Sequence, residues 1–128
     1  MLGGCGEQDL RIYEAQVRAP VLGMDSTVGY LVLENRSDDH MTLIGATARG
    51  VRAIEMHTTR VSEKTGMMQM RPLETVSIAP GAIVRFEAGG RHLMLLGVSE
   101  LNETLAIELQ FADGSSQHVN FTVLALVP

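Results

Sequence analysis

Three short stretches set imidazole beside thioether: AIEMHTT (53–59), MMQMR (67–71) and RHLM (91–94). On a strand, side chains two apart point the same way. In the first stretch Ile54 and Met56 then face inward, with Glu55 and His57 on the other side. In the second, Met68 and Met70 share a face, opposite Met67, Gln69 and Arg71. In the third, His92 and Met94 fall together, opposite Leu93 and Leu95. Any one of these alone reads more simply as a solvated histidine or a core-filling methionine. Together they need a use, because exposed thioethers oxidise to sulfoxide. Thioether is a soft, neutral donor that suits Cu(I) and serves Zn(II), Mg(II) or Ca(II) poorly. Imidazole binds copper in either oxidation state. A neutral His/Met set favours a monovalent ion, and it avoids thiolates, which oxidise or pair outside the cytoplasm. The chemistry these residues suit is exchangeable binding of Cu(I) at an extracytoplasmic surface.

The elements that must hold them read as strands. RIYEAQVRAP is a first strand closed by Pro20, and TVGYLVLENRSDD is a second that ends in turn residues. In the second, Leu31 and Leu33 face away from Val28, Tyr30 and Val32. HMTLIGATA and VRAIEMHTT are two more strands around Gly50, and MMQMR is short and stops at Pro72. A Pro80-Gly81 turn leads into a strand around Ile83–Phe86, and the double glycine Gly89-Gly90 leads into HLMLLGV. ETLAIELQF alternates cleanly, Asp113-Gly114 signals a hairpin, and QHVNFTVLAL returns with Val119, Phe121 and Val123 inward. SELNETL has room for one helical turn. Short strands at regular spacing, with turn signals between them, indicate an all-β sandwich or barrel.

Composition sets the outer limits. A chain of 128 residues suits one domain, and 45% hydrophobic content gives it a core. Net charge is −5 and the 10 Lys+Arg are scattered, which argues against a nucleic-acid partner. No apolar run is long enough to span a bilayer. The one cysteine, Cys5, excludes an internal disulfide and any CxxC motif. Its setting, MLGGC, resembles the end of a bacterial lipoprotein signal, whose Cys is freed and lipidated. Residues 1–10 are then a flexible tail with a lipid anchor at Cys5, residues 11–128 the folded domain, and the periplasm the place of work. The alternative is a flexible tail with an incidental Cys.

The stretch from EMHTT through GMMQMRPLETVSIAPGAIVRFEAGGRHLMLLGV closely resembles the PCu(A)C family of periplasmic copper chaperones. The match is close over residues 55–98 and looser over GYLVLENRSDD and the last hairpin. The resemblance implies a cupredoxin-like Greek-key β-sandwich or barrel. It implies His57, Met70, His92 and Met94 as Cu(I) ligands, on the family motif of His, ten residues, Met, twenty-one residues, His-x-Met. Met70 to His92 keeps the gap of twenty-one, whereas His57 to Met70 spans twelve. Two residues inserted in TRVSEKTG account for the difference, since loop closure entropy rises slowly with length. Met68 would satisfy the shorter gap and is a candidate additional ligand. Arg91 also departs from the family pattern and is given no role.

By the same resemblance, the copper receiver is the copper A site of cytochrome c oxidase subunit II, reached directly or through another copper chaperone. The chain is expected to act as a monomer. A periplasmic copper-storage or resistance protein, and a metal-free β-sandwich interaction module, are the alternatives. A blue electron-transfer cupredoxin needs a Cys thiolate beside two His, and Cys5 precedes the first strand. No Ser/His/Asp or Cys/His set assembles, so no enzyme is expected. Met24, Met41, His40 and His118 have no motif support; Met41 is assigned to the core and His118 to the solvated face of the last strand.

Overall fold

Period-two alternation becomes strand wherever the sequence sets it up. The computed structural model describes residues 9–21, 23–99 and 101–125. Cys5 and the lipoprotein-like run lie outside the described residues. The strands are β1 (Leu10–Arg18), β2 (Thr27–Asn35), β3 (Met41–Thr47), β4 (Val51–Val61), β5 (Met68–Leu73), β6 (Val76–Ile78), β7 (Ile83–Phe86), β8 (His92–Val98), β9 (Thr104–Phe111) and β10 (Ser116–Leu124). The fold is all-β.

Seven strands, in the order β4-β8-β2-β1-β10-β9-β3, close into a barrel where Ala46 of β3 pairs with Ile54 of β4. All pairs are antiparallel except β1 with β10. The remaining strands are side branches: β5 continues from the far half of β4, β6 from β3, and β7 from β2. Leu31 and Leu33 of β2, Leu93 and Leu95 of β8, Ile107 and Leu109 of β9 and Phe121 of β10 fill the interior and are fully buried. Each lies on the face that alternation assigned to it. Met41 packs against this core from β3. His118 stays on the outside, 3.6 Å from Glu108.

The structure departs from the sequence reading in three places. β5 does not stop at Pro72 but runs through it to Leu73. Proline lacks the N–H a central strand needs, and β5 is the end of the sheet order, where a strand tolerates it. β6 is an additional strand of three residues, too short to show alternation, with Val76 and Ile78 buried. The described residues of 99–103 form no helical turn.

Two polar devices fix the turns. Asn35 is fully buried at the end of β2 and donates from Nδ2 to the carbonyls of Asp39 and Ile78, while its Oδ1 accepts from Ser37. It thus ties the NRSDD turn to β6. In the β9–β10 turn Asp113 accepts from the Ser115 hydroxyl and backbone N–H, and these hydrogen bonds hold its carboxyl below the ordinary range.

β8 needs glycine near its end. Gly97 has φ +65°, and a Cβ there would sit 2.6 Å from Cβ of Arg52 on β4. Gly97→Ala is expected to destabilise the fold by about 1–2 kcal/mol for the left-handed backbone, with about 1–3 kcal/mol more from overpacking. Urea unfolding measures it, and an unchanged midpoint would show that β8 can shift away from β4.

Candidate metal centre

Strand register decides which side chains meet. β4 and β8 pair so that His57 lies opposite His92, and Glu55 opposite Met94. β4 and β5 pair so that His57 lies opposite Pro72, Thr59 opposite Met70, and Val61 opposite Met68. Directly opposed residues project from the same face. His57, His92, Met94, Met70 and Met68 therefore share the outer face of one three-stranded stretch. Met94 and Met70 are the diagonal neighbours of His57, on opposite sides of β4. A diagonal spacing of about 7–8 Å is within reach of a long side chain. Met68 lies two residues further along β5, about 7 Å beyond Met70.

The two imidazoles form the centre of this cluster. Their ring centroids are 5.7 Å apart, tilted by 49°. His92 is 6% exposed, and the His57 side chain 15%. Met94 is half-buried, whereas Met70 is 53% exposed and Met68 66%. The cluster thus grades from a buried histidine pair to thioethers at the open edge of the sheet. Val28 of β2 flanks Met94 on the far side.

The double glycine ahead of β8 has a definite task. Gly89 takes φ +84° in a turn closed by the Gly90 N–H donating to the Glu87 carbonyl at 3.0 Å. The turn directs the Gly90 carbonyl back at the cluster. That oxygen accepts from the Thr59 N–H on β4 at 3.2 Å and lies 3.3 Å from Nδ1 of His92. One carbonyl therefore joins β4 to the entry of β8 and holds the His92 ring.

Each imidazole has one nitrogen engaged and one free. His57 Nε2 is 2.9 Å from Oε1 of Glu55. His57 Nδ1 and His92 Nε2 are buried and have no hydrogen-bond partner. A buried polar atom left unpartnered costs about 1–3 kcal/mol. A pair of them on adjacent rings, with methionines at the diagonal register positions, fits a soft cation that takes nitrogen and sulfur donors. Among the described residues no group of three or more His, Cys, Asp or Glu could hold a metal, so a carboxylate or thiolate site has no support there. The groove of about 330 Å³ lined by Glu14, Arg18, Tyr30 and Arg85 carries no imidazole or thioether.

Of the candidate ligands, register brings His57, Met70, His92 and Met94 together, with Met68 one pair further along β5, while His40, His118, Met24 and Met41, which had no motif support, lie elsewhere. Between His57 and Met70 the chain turns through the β4–β5 hairpin, where the Ser62 N–H donates to the Met67 carbonyl at 2.8 Å and Gly66 adopts φ +72°. Alternation puts Glu55 on the side of His57 but gives it no role. The signal that could have found it is its place two residues before His57, which puts both on one face.

The closed all-β barrel has the fold of PCuAC domains. The copper-bound PCuAC domain from PmoF2 superposes with a TM-score of 0.77 at 21% identity, over 92% of this chain and 94% of that one. The solution structure of Cu(I)-DR1885 from Deinococcus radiodurans is 30% identical over 92% of this chain and 81% of that one, with a TM-score of 0.65. Its apo form is 27% identical over 99% and 86%, with a TM-score of 0.67. No curated protein sequence matches the chain. Residues 10–123 match the family model described as “Putative lipoprotein LpqE-like”, and the chain belongs to the LpqE-like family.

Proposed function

We propose that this protein is an extracytoplasmic copper chaperone, not an enzyme, that holds one Cu(I) through His57, His92, Met94 and Met70. The observation that carries the reading is the pair of unpartnered buried nitrogens, His57 Nδ1 and His92 Nε2, on adjacent rings, with Met94 and Met70 at the diagonal register positions on either side of His57. The copper-bound and Cu(I)-bound relatives support it. The register favours Met70 over Met68, because Met70 is the diagonal neighbour of His57 and Met68 is one pair further away. Copper would leave by ligand exchange at the open β5 edge, where the thioethers are most exposed. Neutral thioethers hold Cu(I) less tightly than thiolates, so transfer runs downhill to a cysteine-rich receiver. The copper A site of cytochrome c oxidase subunit II, reached directly or through another chaperone, has that chemistry. The family's lipoprotein description supports periplasmic placement with lipidation at Cys5, the residues ahead of β1 serving as the tether and the strands from Leu10 onward as a monomeric copper domain. No helix among the described residues is long and apolar enough to cross a membrane.

Titration with Cu(I), read by NMR of the methionine methyls and histidine rings, tests this. The wild type is expected to take up one equivalent, with shifts at Met70 and Met94. Met70→Ala is expected to weaken binding by at least the roughly 10–100-fold that loss of an outer-shell partner costs. Met68→Ala should leave it nearly unchanged. The reverse order would make Met68 the ligand. A metal-free interaction module predicts no uptake by any of these chains. A storage protein predicts uptake without passage to a copper A acceptor domain.

A further inference from the structure

We propose that Glu55 is a positioning residue that decides which nitrogen of His57 meets the metal, so that His57 binds through Nδ1 and His92 through Nε2. This rests on the carrier reading above. Two separate observations lead to the same atoms. A carboxylate only accepts, so the 2.9 Å contact to Glu55 Oε1 requires the proton on Nε2 of His57. A backbone carbonyl also only accepts, so the 3.3 Å contact to Gly90 O requires the proton on Nδ1 of His92. A neutral imidazole carries a single N–H, which leaves the lone pairs on His57 Nδ1 and His92 Nε2. Those are the two buried atoms without partners. The two rings thus present opposite nitrogens, each set by an acceptor behind it.

Glu55 acts from behind His57, not as a ligand beside it. It lies opposite Met94 across β4 and β8, on the face of the cluster, yet it forms no three-donor group with the histidines. Its carboxylate fixes the orientation of the ring it holds and offsets part of the cuprous charge. Without it, the His57 proton is free to move to Nδ1 and block the coordinating lone pair. Gly90 cannot be lost by side-chain substitution, so Glu55 is the half of this arrangement that mutation can reach.

The test is ¹⁵N NMR of the imidazoles in the metal-free chain, together with competitive Cu(I) titration, for wild type, Glu55→Ala and Glu55→Gln. The metal-free wild type is expected to show His57 protonated at Nε2 and His92 at Nδ1. On Cu(I) binding, the His57 Nδ1 and His92 Nε2 resonances should shift most. Glu55→Ala should give an averaged tautomer mixture at His57 alone and a loss of affinity of about 10–100-fold. Glu55→Gln, whose amide oxygen can accept the same N–H, should restore part of both. Copper bound through Nε2 of His57 would overturn the proposal, as would wild-type tautomer and affinity in Glu55→Ala. A wild type that takes up no copper sinks the carrier reading; loss of the His57 tautomer in Glu55→Ala would then still establish the lock.

Discussion

His92→Leu is expected to eliminate copper-dependent stabilisation while leaving the metal-free chain as stable as the wild type, or more so. The two effects have one origin. His92 is 6% exposed and its Nε2 has no partner, so the metal-free fold carries an unmet polar atom. Such an atom costs about 1–3 kcal/mol, and an apolar side chain of similar size removes that cost. The substitution creates no new orphan, because the Gly90 carbonyl keeps its hydrogen bond from the Thr59 N–H. With the ligand gone, linkage to copper goes too. A wild type with Cu(I) at 100 times its dissociation constant should gain about 2.7 kcal/mol of stability, and the variant close to none. Urea unfolding with and without Cu(I) measures both. A variant that copper stabilises as much as the wild type would remove His92 from the site, and a strongly destabilised metal-free variant would make it a structural histidine.

Leu95→Ala is expected to cost about 2–5 kcal/mol, the usual range for a buried leucine truncated in a well-packed interior. Leu95 is fully buried on β8, opposite Ile54 of β4 and Thr27 of β2, so it touches the barrel wall on both sides. A Cβ at Gly29 would lie 3.5 Å from Leu95 Cδ1, in ordinary contact, so the Leu95 side chain packs beside the β2 backbone. Against a typical total of about 5–15 kcal/mol, that loss is large. Leu95 points away from His92 and Met94, so the loss should be the same in metal-free and Cu(I)-loaded chains. A greater loss in the loaded chain would mean that the interior sets the spacing of the ligands.

Most of the barrel was legible because its strands bury one face and expose the other. Alternation over Leu105, Ile107, Leu109 and Phe111 placed all four inside, and the same rule placed Leu93 and Leu95 beneath His92 and Met94. The rule fails where a strand is too short to alternate, as in β6, and where sheet position overrides composition, as at Pro72 on the outermost strand. For the site, period two gave the face of each residue but not its neighbour. That His57 would oppose His92, with Thr59 opposite Met70, depends on register between segments distant in the chain, which no local pattern encodes. The role of Glu55 is hidden in the sequence for a related reason. Its effect lies in a contact with the ring, and an outward glutamate on a strand looks the same with or without one.

The parallel contact between the first and last strands also bears on how the chain reaches this state. Gln16, Val17 and Arg18 take their second neighbour from Thr122, Val123 and Leu124, so no hairpin can make that pairing locally. The entropy of bringing such remote segments together must be lost before any contact repays it. Such remote pairing is expected to slow closure of the ring, and a β1 without the final strand would present one bare edge to any passing chain.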